Sequence, residues 1–400
     1  MTAIDTAVLD EFVTFVGARK WAARLAEISR AAGCGKRAGR AVLQRHAVEL
    51  ALERLRRRPN RPPSEAEIRV SALAAEAVSL AAQITGAGRD RLRSAIDAGL
   101  LGSATLIPLF HLLRTGSTQR GRGFDVGYSG LAEGAPYDLL ISREGSDCEI
   151  ACDVVSAEDG RGVHRAAWFR LADRVDPDLQ TWLEAHPGRY LLKMTLPEGL
   201  SGTLDDPPDA GALPVLHARI RAMLQAHRRS EQDAALVLRL DPLLLAGAQA
   251  DELGLLSSLR REFGPEAHLS VTAKGEAVFV MAARAGRQND VAVAIRRRMA
   301  AIAPARLTGA RPGILAMFVE DTDAAEWRGI RDTLELEGEA RQFLTFPEAK
   351  PVIAVTCTSR IEMFGLPRPD AAEGGEMRFR NPAHPQAKLA ALAPAVLSSV

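Results

Sequence analysis

The stretch Pro136–Arg165, PYDLLISREGSDCEIACDVVSAEDGRGVHR, decides how the chain is read. Tyr137 to Ile141 is a short apolar run, Arg143 to Asp147 is polar and contains Gly145, and Glu149 to Val155 alternates charged with apolar residues. Two such runs around a glycine-bearing polar segment predict a hairpin. Side chains alternate across a strand, so Ile150, Cys152 and Val154 share one face. Glu149, Ala151, Asp153 and Val155 then share the other, and Asp138 can look onto that acidic face.

Working outward, Leu106 to Gln119 predicts an apolar helix and Phe124 to Tyr128 a first strand. Downstream, Gly162 to Glu184 carries helical spacing through Val163, Trp168, Phe169, Leu171, Ala172, Val175, Leu179 and Leu183, with Asp176-Pro177 as a potential break. Tyr190 to Leu196 returns as a strand. The order is helix, three strands, helix, strand.

That order and the local wording resemble the restriction-endonuclease-like core of the PD-(D/E)XK nuclease superfamily over roughly Thr105 to Leu196. The family places an aspartate on its second strand, Glu-x-Lys on its third and a glutamate on the preceding helix. A serine and a Gly-Arg-rich helix entry often follow. Asp138 in PYDLLI stands at the aspartate position, and Ser156-Ala157-Glu158-Asp159-Gly160-Arg161 matches the downstream flank. With Ser156 setting the register, Ala151 and Asp153 occupy the Glu and Lys positions, and PLFHLLRTGSTQR offers His111 where an acid is expected. The resemblance implies an α/β fold with an αβββαβ core and, for an active member, Mg or Mn.

The departures bear on chemistry. Phosphodiester hydrolysis of this kind needs carboxylates that hold a hard divalent cation, which activates water and offsets charge in the transition state. Asp138, Glu149 and Asp153 are the candidate metal ligands and catalytic acids, with Arg161 and His164 as helpers. Glu149 lies one strand repeat, about 7 Å, from Ala151. Arginine cannot serve as a base at ordinary pH. The preferred reading makes Glu149 and Asp153 solvent-facing strand residues and has Asp138 cap a local hydrogen-bond network. The chain is then a nuclease-fold protein that has lost catalysis and keeps a nucleic-acid-binding or scaffolding role. The alternatives are an active metal-dependent nuclease with a rearranged site and an unrelated α/β protein-interaction module.

Composition bounds these readings. Four hundred residues, 47% hydrophobic and 25% charged, describe a globular chain. No apolar run approaches the roughly 18 residues of a membrane span, and the start MTAIDTAVLDEF lacks a signal-peptide pattern. These features point to a cytoplasmic protein with no membrane partner. Cys34, Cys148, Cys152 and Cys357 show no metal-ligand spacing, and Cys148 and Cys152 would sit about 13 Å apart on one strand. The net charge of +1 hides an asymmetry: residues 1–97 hold 17 basic against 11 acidic residues, or +6, and the remainder 34 against 39, or −5. Arg54, Arg56, Arg57, Arg58 and Arg61 are the densest basic cluster and the candidate contact for DNA or RNA phosphates, although few aromatics interleave for base stacking.

The expected organisation is a helical N-terminal arm over 1–100, the restriction-endonuclease-like core over 101–200, a C-terminal α/β region over 201–365 and a proline-punctuated tail over 366–400. Within the arm, RPNRPP at Arg58 to Pro63 is a linker, and Ser64 with Glu67 is a capping box. The arm is also the candidate surface for a protein partner. In the C-terminal region, Asp251 to Phe263 and Asp290 to Ile302 read as helices, and Ile314 to Val319 and Val352 to Cys357 as buried strands. His268 to Thr272 and Ala277 to Ala282 read as a hairpin around Lys274-Gly275. Whether this region joins the core sheet is open at this level. Gly33-Cys34-Gly35-Lys36 lacks P-loop spacing and reads as a basic bend. The scattered histidines form no His-x-x-x-His pair, and His111 reads as a hydrogen-bonded core residue.

Overall fold

The computed structural model describes residues 6–33, 35–58, 61–207, 209–243, 259, 267–360, 363 and 376–398. Most of the expected 251–263 helix, Cys34, the linker residues Pro59 and Asn60, and the start of the proposed tail lie outside them. The chain packs as two units. The first comprises Met1–Ile28, Arg45–Asp159 and Ala292–Val400; the second comprises Ser29–Gln44 and Gly160–Val291.

In the first unit, the helices α1 (Thr6–Val16), α2 (Ala18–Ala32), α4 (Ala47–Arg57), α5 (Glu65–Gln83), α6 (Ala87–Gly99) and α7 (Ile107–Gly121) contribute to one core. α3 (Lys36–Arg45) falls almost wholly in the second unit. Phe12 stands edge-on to Trp21 and Phe110, and the Trp21 indole donates to Glu53 at 2.9 Å. The expected capping box is formed at α5, with Ser64 and Glu67 each accepting from the other's backbone amide.

That core lies on a six-stranded sheet ordered β1 (Asp125–Gly127), β2 (Leu139–Arg143), β3 (Ser146–Ser156), β9 (Gly313–Glu320), β10 (Val352–Ser359) and β11 (Met377–Arg380). The first three are antiparallel neighbours, with the short α8 (Ser129–Ala132) between β1 and β2; β3, β9 and β10 run parallel; β11 reverses again. The β2–β3 hairpin pairs Arg143 with Ser146, leaving Glu144 and Gly145 as a two-residue turn. Both have positive φ, 50° and 74°, the requirement of a type I′ turn. β9 and β10 are buried at every position, as interior parallel strands covered on both faces should be.

Here the expected topology is corrected. The strand Tyr190–Leu196, within β4 (Arg189–Leu196), does not complete this sheet, and the helix after Gly162, α9 (Arg165–Ala185), belongs to the other unit. The parallel neighbour of β3 is β9, in register from Glu149 opposite Gly313 to Ser156 opposite Glu320. The helix preceding it is α11 (Val291–Arg306). Residues 160–291 therefore intervene between β3 and the helix and strand that follow it in the sheet. The C-terminal strands join the sheet of the central hairpin, and the 101–200 segment is divided between the units.

The second unit holds a five-stranded sheet ordered β5 (Ser230–Gln232), β6 (Val237–Pro242), β4, β8 (Ala277–Ala285) and β7 (His268–Lys274). β4 pairs parallel with β8 and antiparallel with β6, and β7–β8 is the expected hairpin, closing at Lys274 opposite Ala277. α9 and α10 (Leu213–Gln225) cover one face through Trp168, Leu171, Val175, Leu179, Leu216 and Ile220. The ends of the long segment meet: the Asp290 amide donates to the Gly160 carbonyl at 2.7 Å. A Cβ on Gly160 would come within 2.5 Å of the Val291 backbone, so only glycine fits there.

Candidate functional site

The acidic face of β3 is where the hairpin places its chemistry. The β2–β3 ladder ends with Leu139 opposite Ile150, so its next step sets Asp138 against Ala151. The Asp138 amide donates to the Ile150 carbonyl at 2.9 Å, and its carboxylate accepts from the Cys152 amide at 2.6 Å. The local hydrogen-bond network expected for Asp138 is thus present.

Two arginines of α11 reach the same face. Arg306 donates to the Asp138 carboxylate at 2.7 Å and to the Pro136 carbonyl at 2.6 Å. Arg298 holds Asp153 through two nitrogens, one at 2.9 Å. Positions 298 and 306 are eight apart, so both arginines lie on one stripe of the helix. Burial pushes the Asp138 carboxyl above its ordinary range and Asp153 adds to this, while Arg306 and the Cys152 amide pull it down.

Glu149 departs from the expectation of a solvent-facing residue: it is 0% exposed. It accepts from the Thr308 amide at 2.9 Å and from the Thr308 hydroxyl, with Arg311 at 3.8 Å. The cause is the parallel partner. β9 begins opposite Glu149, and the turn leading into β9 closes over it. Asp153 lies four residues along the strand, about 13 Å away, so the three acids do not converge. Among the described residues no group of three or more His, Cys, Asp or Glu side chains is arranged to hold a metal ion. The residues do not fit the Mg or Mn site of an active nuclease.

Arg161 and His164, offered as helpers, belong to the second unit. Arg161 is buried, and the His164 ring accepts from the Gly202 amide at 3.2 Å. His111 is the core residue expected. It lies on α7 at 1% exposure, its Nε2 donates to the Ala316 carbonyl at 2.8 Å, and its ring is 5.4 Å from that of Phe318. Burial lowers its pKa to about 4.

The N-terminal arginines are largely engaged. Arg56 and Arg57 pair with Glu53, and Arg54 and Arg61 pair with Glu67, while Arg58 is exposed. In the second unit, Arg37 pairs with Asp173 and Asp176, and the Arg37 and Ala38 amides at the start of α3 both donate to Asp173 at 2.9 Å. The basic bend before α3 thus receives an internal carboxylate, and Gly35 is required because a Cβ there would meet Asp173 at 2.3 Å. Cys148 and Cys152 are free thiols, and burial raises the pKa of both.

Sequence reading did not single out a cleft of about 720 Å³ beside β1, lined by Glu76, Arg120, Tyr128 and Ser142 among others. Within it Arg120 pairs with Glu76, which also accepts from the Tyr128 hydroxyl at 3.0 Å. The sequence places Arg298 on the 290–302 helix but links neither it nor Arg306 to this site, because the place of that helix in the sheet could not be read. Among the described residues no helix is long and apolar enough to cross a membrane. Compared with known proteins, the chain matches no family model, no curated protein and no solved structure.

Proposed function

We propose that the first unit is a nuclease-type framework without hydrolytic chemistry, serving as a scaffold or binding platform. The observation that carries this reading is the pairing of Asp138 with Arg306 and of Asp153 with Arg298. Guanidinium groups supply the positive charge that a divalent ion would supply in an active enzyme. They are permanent cations that neither activate water nor exchange for substrate.

The element order supports the same reading. Helix α7, strands β1, β2 and β3, then helix α11 and strand β9 reproduce an αβββαβ succession once residues 160–291 are set aside. Within it Ala151 stands at the position facing Asp138, so the acid that would complete a metal pair is missing. Engagement of the Arg54–Arg61 cluster by Glu53 and Glu67 favours a scaffold over phosphate binding through that cluster.

The test is incubation of the purified full chain with single- and double-stranded DNA and RNA in Mg(II) or Mn(II), with Asp138→Ala alongside. No cleavage by either protein is expected. Cleavage by the wild type that Asp138→Ala abolishes would overturn the reading. Gel-shift titration over rising salt separates the two binding roles, because phosphate contacts give affinity that falls steeply with salt.

A further inference from the structure

The second unit brings two histidines together where its two packed helices end. His186 is the residue that terminates α9, and His227 lies two residues past the end of α10. Their ring centres are 4.9 Å apart and the rings are inclined by 64°. His186 also stacks on Trp182, with centres 4.7 Å apart.

Three further features fit a ligand role. The His186 Nδ1 lies 3.0 Å from the Trp182 carbonyl, which can only accept, so in the neutral ring Nδ1 carries the proton and Nε2 keeps its lone pair. A carbonyl orienting the distal ring nitrogen is the usual support of a metal-binding imidazole. His227 has φ of +50°, in a C-terminal motif where the His227 amide bonds Leu224 and the Arg228 amide bonds Met223. Glycine is the habitual residue at that left-handed position, so an exposed histidine there is held against its backbone preference. Finally, both rings sit at the negative ends of helix dipoles, which favour a cation.

We propose that His186 and His227 form a two-imidazole site for a divalent transition-metal ion, with water completing its coordination. An ion about 2.0–2.1 Å from each Nε2 at a near-tetrahedral angle sets the two ring centres about 5 Å apart, the separation the rings already have. Neutral imidazoles select the Zn(II), Ni(II) and Cu(II) group over Mg(II) or Ca(II), which prefer oxygen. Arg228 and Arg229 follow directly and are exposed, so their charge opposes the ion and weakens its binding.

The test is titration of the full chain with Ni(II), read by quenching of tryptophan fluorescence, because Trp182 is in ring contact with His186. Zn(II) should reverse the quenching by competition, and Mg(II) should not. His227→Gly restores the residue that the left-handed position prefers, so the variant stays folded, and a melting temperature at or above wild type verifies this. Its Ni(II) affinity is expected to fall by at least about 10–100-fold. His186→Ala should lose as much. Absence of quenching up to about 1 mM Ni(II), or unchanged affinity in both variants, would overturn the proposal.

Discussion

Strands β3 and β4 are inner strands of the two sheets, and they treat charge in opposite ways. In the first unit, β3 carries Glu149 at 0% exposure, and Asp153 on the same strand is held by α11. In the second unit, the charged residue in the middle of β4 is Lys193, about one-third exposed and paired with Asp241 at 3.2 Å. The residues on the opposite face of β4, Leu192, Met194 and Leu196, are plain core. Ionised groups are expensive to bury unless every lone pair is matched. The first sheet is therefore specified by a set of polar partners, and the second by packing.

That contrast can be broken most directly at the two strand positions. Glu149→Ala leaves the Thr308 amide and hydroxyl without their acceptor and opens a cavity, and should cost about 3–4 kcal/mol. Lys193→Ala should cost less than about 1 kcal/mol. Urea unfolding midpoints measure both, and equal losses would remove the distinction.

A second effect sharpens it through pH. His111 has a folded pKa of about 4 against an ordinary 6.5, so the unfolded chain binds the extra proton first. Its contribution is fully present above pH 6.5 and is lost as pH falls towards 4, by about 2 kcal/mol at pH 5. Urea titrations at pH 7.5 and 5 should show this loss in the wild type and not in His111→Leu. A smaller effect is expected at Arg306→Ala, about 1–2 kcal/mol, since that pair is partly exposed. Asp138→Asn in the same chain should recover most of it, and a double-mutant cycle measures the coupling.

The smallest effect compares the two hairpin turns. The β2–β3 turn places Glu144 at φ 50°, whereas the β7–β8 turn places Gly275 at φ 57°. Glu144→Gly should stabilise by about 0.5–1 kcal/mol, and Gly275→Ala should destabilise by a similar amount. Thermal melts of the two variants should move in opposite directions.

Much of this was legible in the sequence where its cause is local. The alternation from Glu149 to Val155, the Gly145 and Gly275 turns, the Ser64–Glu67 box and the apolar runs of β9 and β10 each rest on a few adjacent residues, and each element is present. What could not be read was partnership over distance. α9 and β4 follow β3 immediately with the right periodicities, so they satisfy a helix-then-strand expectation as well as α11 and β9 do. Nothing near Gly160 tells a short crossover from a long excursion. The burial of Glu149 was hidden for the same reason, because the Thr308 turn that covers it belongs to the distant strand's approach.

The glycine-tight junction between Gly160 and Val291 has a consequence for how the molecule is made. On the ribosome β3 emerges long before β9, so its unpaired edge must wait, and such an edge is an invitation to wrong pairing. An excursion whose two ends are pinned together can form its own sheet in the meantime. Once formed, it delivers α11 and β9 back to the place where β3 was left, and shortens the effective loop that the parallel pairing has to close.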